Sequence, residues 1–198
     1  MFEKNLEAIR AKNPDLAARL EKIDVSQIEN IQAVETESKN LSLIYNETNL
    51  HNPIDPIREA KTIWHRNIKS ELKKNDIQVV YGLGLGYLFK RAYVETNSKI
   101  YIVEPFIDLL RFVLEHVDLS KELSEDRVYI TDNNSNIIQK LRTEFLSGDK
   151  VEFLFLNSYA AIAQKQLIEL TQKTLEICQL KCMDQNTILN QCKQWVLN

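Results

Sequence analysis

Glycine is scarce in this chain, with four in 198 residues, and proline is equally so. That composition excludes a collagen-like or a glycine- and proline-rich low-complexity protein. Cysteine is confined to Cys178, Cys182 and Cys192 near the C-terminus, which excludes a framework stapled by disulfides. No apolar run reaches the length that spans a bilayer. Basic residues are not in excess: 25 Lys and Arg against 28 Asp and Glu leave a net charge of -3. Neither nucleic acid nor an anionic membrane is therefore expected as a partner. No leader-like segment precedes the first charged stretch, so the expected location is the cytoplasm, with reduced thiols.

What is present is ordinary for a globular protein, 44% hydrophobic and 27% charged. The length suffices for one buried core without metal or disulfide staples. Three textures follow one another. The first, residues 1–52, opens with Leu6, Ile9, Leu16 and Leu20 at roughly helical spacing, broken at Asn13-Pro14, which predicts two short helices. A meander of short strands follows in "IENIQAVETE", "NLSLIYNE" and "TNLH", with "ESKN" as a turn.

The second region, residues 53–157, begins with a helix whose N-cap is Asp55 and whose first helical residue is Pro56. Ala60, Trp64, Ile68 and Leu72 form its apolar stripe. Arg58, Lys61, His65, Arg66, Lys69 and Lys73 form a basic face, either a basic groove or, more simply for a chain of negative net charge, a solvated face. From Ile77 onward, short apolar runs alternate with amphipathic segments: "IQVVYGL", "KIYIVEP", "DRVYITD" and "VEFLFLN" read as strands with helices between them. This pattern predicts an α/β fold with a Rossmann-like parallel sheet, of the methyltransferase-like kind. The third region, residues 158–198, lacks glycine and proline and reads as one or two long helices. The three cysteines there share a stripe with Leu189 and Val196. They read as small buried hydrophobes, since no histidine lies close enough for a zinc pattern.

Three of the four glycines fall on alternate positions of "VVYGLGLGYLFK": Gly82, Gly84 and Gly86. The run follows a strand and opens a helix, the context in which such a segment holds a ligand near unpaired backbone N–H groups. Glu104 ends the next strand, where a carboxylate accepts ribose hydroxyls, and Asp132 ends the one after, on the same sheet edge. These five residues are the candidate cofactor-binding set. The spacing is G-x-G-x-G, with Tyr87 where a dinucleotide fold has its third glycine. That favours S-adenosylmethionine or a nucleotide over NAD. The acid that often precedes the glycines in methyltransferases is replaced by Gln78-Val79-Val80-Tyr81, and "FLFLNSYA" carries no catalytic signature. The alternative is that the glycines only turn a strand into a helix. No catalytic residue and no metal ligand is assigned.

"NLHNPIDPIREA" followed by "VVYGLGLGYLFKRAYVETNSKIYIVEP" resembles the N-terminal region of the motility accessory factor family, the bacterial flagellin glycosyltransferases. The matching residues are His51, Asp55, Pro56, Glu59, Ala60, Gly82, Gly84, Gly86, Tyr87, Glu104 and Pro105. The resemblance covers about residues 40–135. It implies a parent enzyme that moves a pseudaminic- or legionaminic-type nonulosonic acid from its CMP-activated form to flagellin Ser or Thr. That activity belongs to a central, sialyltransferase-like domain with its own glycine-rich "GPSL"-like stretch, which this sequence lacks. The chain is thus expected to be a non-catalytic N-terminal module leading into a catalytic domain. Flagellin is its expected partner. The other expectation is an S-adenosylmethionine- or nucleotide-binding enzyme, such as a small-molecule methyltransferase.

Overall fold

A computed structural model of the chain describes residues 1–68 and 70–196, with side chains described as far as Lys181. Helices α1 (Phe2–Arg10) and α2 (Pro14–Glu21) come first, as the broken apolar periodicity predicts. Asn13 divides them: its side chain accepts the Leu16 N–H, and Pro14 takes the first helical turn. A three-stranded antiparallel sheet follows in the order β1 (Ile31–Glu35), β2 (Leu41–Tyr45), β3 (Thr48–Asn49). Asn46 and Glu47, both at positive φ, make the two-residue turn that pairs Tyr45 with Thr48.

Helix α3 (Pro56–Asn67) starts where Asp55 accepts the N–H groups of Ile57 and Arg58, at 3.0 and 2.9 Å. It ends earlier than its apolar stripe implies. Ile68 is extended (φ -85, ψ 104), and the Asn67 amide turns back to the Ile63 carbonyl at 2.8 Å. Leu72 is nonetheless buried, because the chain folds back before the next strand. Asp76 holds that turn, accepting from the Lys73 and Lys150 backbones at 2.7 and 2.8 Å. Lys69, on the predicted basic face, lies outside the described residues.

The α/β part then runs through β4 (Ile77–Tyr81), α4 (Tyr87–Glu95), β5 (Lys99–Val103), α5 (Ile107–His116) and α6 (Ser120–Ser124). It continues through β6 (Val128–Thr131), α7 (Asn134–Glu144), β7 (Val151–Phe155) and α8 (Asn157–Ile162) to the long α9 (Gln164–Val196). The four strands are parallel in the order β6-β5-β4-β7. The sheet is the Rossmann-like one expected from the alternation. Every residue of β4 is buried, as befits a central strand covered on both faces.

Helices α1 and α2 pack into the same apolar cluster as the sheet rather than standing apart. Asn5, fully buried, donates to the carbonyls of Leu114 and Val117, both at 2.8 Å, and accepts the Leu119 N–H at 2.9 Å. Lys12 donates to the carbonyls of Leu123, Glu125 and Val128. On the other side, Leu167, Leu170, Thr174 and Ile177 give α9 its buried face against α7 and α8. Cys178 is half-buried against the core. The side chains of Cys182, Leu189, Cys192 and Val196, the rest of the predicted stripe, lie outside the described ones.

Replacing Asp55 with alanine removes the acceptor for two orphan N–H groups of α3. It should lower stability by about 0.5–2 kcal/mol, read as a reduced denaturation midpoint at unchanged m-value.

Candidate functional site

The sheet order reverses at β4. From β4 the chain moves outward to β5 and β6, then returns to add β7 on the other flank. Ligands of open α/β sheets bind at the carboxyl edge beside such a switch point. The segment leaving β4 there is the glycine run. Gly82, Gly84 and Gly86 all have positive φ, +86°, +48° and +81°. Gly86 starts α4 from that conformation, and its N–H closes the turn on the Leu83 carbonyl at 2.8 Å.

Close approach adds a second reason at two of the three. A Cβ on Gly82 would lie 2.5 Å from the Tyr159 ring, and one on Gly84 would lie 2.6 Å from the His51 ring. At Gly86 the nearest neighbour, Leu119, would be at an ordinary 3.5 Å. The space that glycine leaves over the loop is therefore occupied, by the chain's own aromatic side chains.

Glu104 faces the same loop and is completely buried. Its carboxylate accepts the Leu83 N–H at 2.9 Å, the Phe106 N–H at 3.2 Å and the Tyr159 hydroxyl at 2.5 Å. Burial pushes its carboxyl up to about 7, against the opposing pull of these bonds. Tyr159, itself fully buried, is raised above its ordinary value by the same burial and by the Glu104 charge. It rises from α8, which follows β7, and stacks edge-on to Tyr81 and at a tilt to Phe106.

His51 closes the other side. Its Nε2 accepts the Leu85 N–H at 2.9 Å, so the ring proton sits on Nδ1, which finds no partner among the described residues. Burial lowers its pKa to about 4, which keeps the imidazole neutral and able to accept. The ring meets Tyr87 edge-on at 5.2 Å, and the Tyr87 hydroxyl is fixed to the Leu41 carbonyl at 2.9 Å. Ser158 donates to the Leu50 carbonyl at 2.7 Å and so holds α8 against the residue before His51.

Four of the five predicted residues, Gly82, Gly84, Gly86 and Glu104, thus come together. Asp132 makes its contacts elsewhere: Arg19 of α2 grips both of its oxygens, one of them at 2.7 Å. In the sequence, His51 stands out only within the family resemblance, and Tyr159 belongs to no motif. A lone histidine just before a capped helix and a tyrosine just after β7 were the signals available. An open concavity of about 330 Å³ does lie at this edge, between α3 and β7. Arg58, Arg66, Thr62, Asn67, Phe155 and Asn157 are among its walls.

No family model matches the sequence, and no curated protein matches it. Among solved structures, the chain resembles the MAf glycosyltransferase from Magnetospirillum magneticum. The identity is 21% and the TM-score 0.58, over 90% of this chain and 35% of that one. At that identity the likeness establishes the fold. The chain spans about a third of that protein's length. A weaker likeness, TM-score 0.33 at 15% identity, links 71% of the chain to 44% of a Haemonchus contortus phosphoethanolamine N-methyltransferase bound to S-adenosylhomocysteine. It carries no argument. No helix among the described residues is long and apolar enough to cross a membrane.

Two sets of measurements check this geometry. Gly86→Ala should cost about 1–2 kcal/mol for its left-handed backbone alone. Gly82→Ala and Gly84→Ala should each lose about 1–3 kcal/mol more, through overpacking against Tyr159 and His51. The pH dependence has a sign that differs between the two buried groups. Glu104 in the folded chain holds its proton up to about 7 against an ordinary 4.5, so its contribution declines as pH rises through that window. The stability advantage of wild type over Glu104→Gln should therefore shrink between about pH 4.5 and pH 7. His51 resists protonation down to about 4 against an ordinary 6.5, so its contribution is lost as pH falls. The advantage of wild type over His51→Gln should shrink between pH 6.5 and pH 4. Either limb slopes at most about 1.4 kcal/mol per pH unit.

Proposed function

We propose that the chain is a non-catalytic, Rossmann-like module of a glycosyltransferase of the motility accessory factor kind. In this reading the parent enzyme attaches a pseudaminic- or legionaminic-type sugar, delivered as its CMP derivative, to flagellin Ser or Thr. The module binds the acceptor flagellin or holds the enzyme together, in the cytoplasm. The observation that carries the proposal is the filled cradle. The Tyr159 hydroxyl is bonded to Glu104 in the place a ribose hydroxyl would take, and the His51 ring lies over Gly84. The likeness in fold to the Magnetospirillum enzyme, over nearly all of this chain, supports the same reading.

A second reading keeps a working site for S-adenosylmethionine or a nucleotide at Gly82, Gly84, Gly86, Glu104 and Asp132. It is favoured by one observation, the placement of the glycine run at the switch point of the sheet. It requires Tyr159 to leave Glu104 and Arg19 to release Asp132.

Two assays separate them. Incubated with CMP-nonulosonic acid and flagellin, the chain alone should transfer no sugar; transfer above background removes the first reading. In titration calorimetry with S-adenosylmethionine, CMP and ATP, the wild-type chain should give no binding heat at millimolar ligand. Saturable heat that disappears in Gly84→Val would establish the second reading in its place.

A further inference from the structure

A different part of the surface is built to receive something. Between α3 and α4 runs a trough of about 290 Å³. Its apolar lining is the buried Ala60 together with Ile57, Tyr87 and Val94. Ile57 and Val94 are 51% and 77% exposed, so large apolar side chains meet solvent on both sides of one depression. The remaining lining residues are Lys61, Lys90 and Arg91, all cationic. No carboxylate lines the trough. The neighbouring Glu95 is engaged by Arg91 at 2.8 Å, and neither Lys61 nor Lys90 has an acidic partner among the described residues. A wholly cationic rim is a local reversal in a chain whose net charge is -3.

We infer that this trough is a docking site for an acidic amphipathic helix of a partner protein. An apolar floor between two helices receives the apolar face of a third by the helix-in-groove mode. The cationic rim selects carboxylates flanking that face and speeds encounter. Helical spacing is already present on the receiving side: Ile57 and Lys61 lie one turn apart on α3, and Lys90 and Val94 one turn apart on α4. A concave surface on an acidic protein fits such a rod better than an anionic bilayer, which a protruding apolar face on a basic protein would suit. None of Gly82, Gly84, Gly86 and Glu104 lines the trough, while Tyr87 joins the two regions through its edge-on contact with His51; the inference stands under either reading of that loop.

The test uses the full chain and a labelled synthetic helix of about 20 residues, long enough to be helical in water. One face is leucine and the other glutamate, and a twin peptide carries lysine for glutamate. Fluorescence anisotropy should show saturable binding of the glutamate peptide, weakened by salt, and none of the lysine twin. The double variant Lys61→Glu/Lys90→Glu should bind at least about tenfold more weakly, and Val94→Ser should lose affinity too. Lys22→Glu/Lys165→Glu, the same charge change at exposed positions away from the trough, just after α2 and in the first turn of α9, should bind as wild type does. Circular dichroism confirms that each variant is folded. Absence of saturable binding, equal loss in the two double variants, or binding to anionic phospholipid vesicles with none to the peptide would each overturn the inference.

Discussion

The bond between Tyr159 and Glu104 is the interaction on which the carboxyl edge depends. It joins the ends of three strands. Glu104 follows β5, its contact with the Leu83 N–H reaches the loop after β4, and Tyr159 follows β7. A carboxylate buried this deeply is costly unless its oxygens are satisfied. Here they are satisfied by two backbone N–H groups and a phenol, all from the chain itself. The glycines answer to the same constraint. Gly82 must lack a side chain because the Tyr159 ring that reaches Glu104 passes directly over it.

That arrangement shows how one loop geometry serves two ends. In a ligand-binding Rossmann-like domain, bare backbone at the switch point admits a substrate. Here the same bareness admits His51 and Tyr159, which hold the glycine run against the preceding segment and against α8. A neutral imidazole is the suitable group over Gly84. It accepts the buried Leu85 N–H of the loop before α4, which would otherwise lack a partner, without placing a charge in the interior.

Much of the architecture was legible beforehand. The alternation of short apolar and amphipathic segments from Ile77 implied a parallel sheet, and the register of β4 with β5 and of β5 with β6 agrees. Asp55-Pro56 marked the start of α3 because capping is local chemistry, readable over three residues. The end of α3 was not legible. Its apolar stripe continues in sequence to Leu72, but burial of Leu72 is achieved by a chain reversal held by Asp76, whose partners include the distant Lys150 backbone.

By itself, then, the sequence determined the element order, the position of the glycine run between a strand and a helix, and the placing of Glu104 at the end of the next strand. These follow from propensity, periodicity and caps, all acting within a few residues. Tertiary structure alone decided what stands over the loop. His51, Glu104 and Tyr159 come from three distant segments, and only the folded arrangement brings each of them onto the glycine run. It likewise decided that Asp132 is held by Arg19, because Asn13 at the head of α2 is tied to the Ile130 carbonyl of β6 and α2 is thereby set with that guanidinium beside Asp132. Local patterns can place a carboxylate on an edge; which group it bonds is decided by the crossing of elements far apart in the chain.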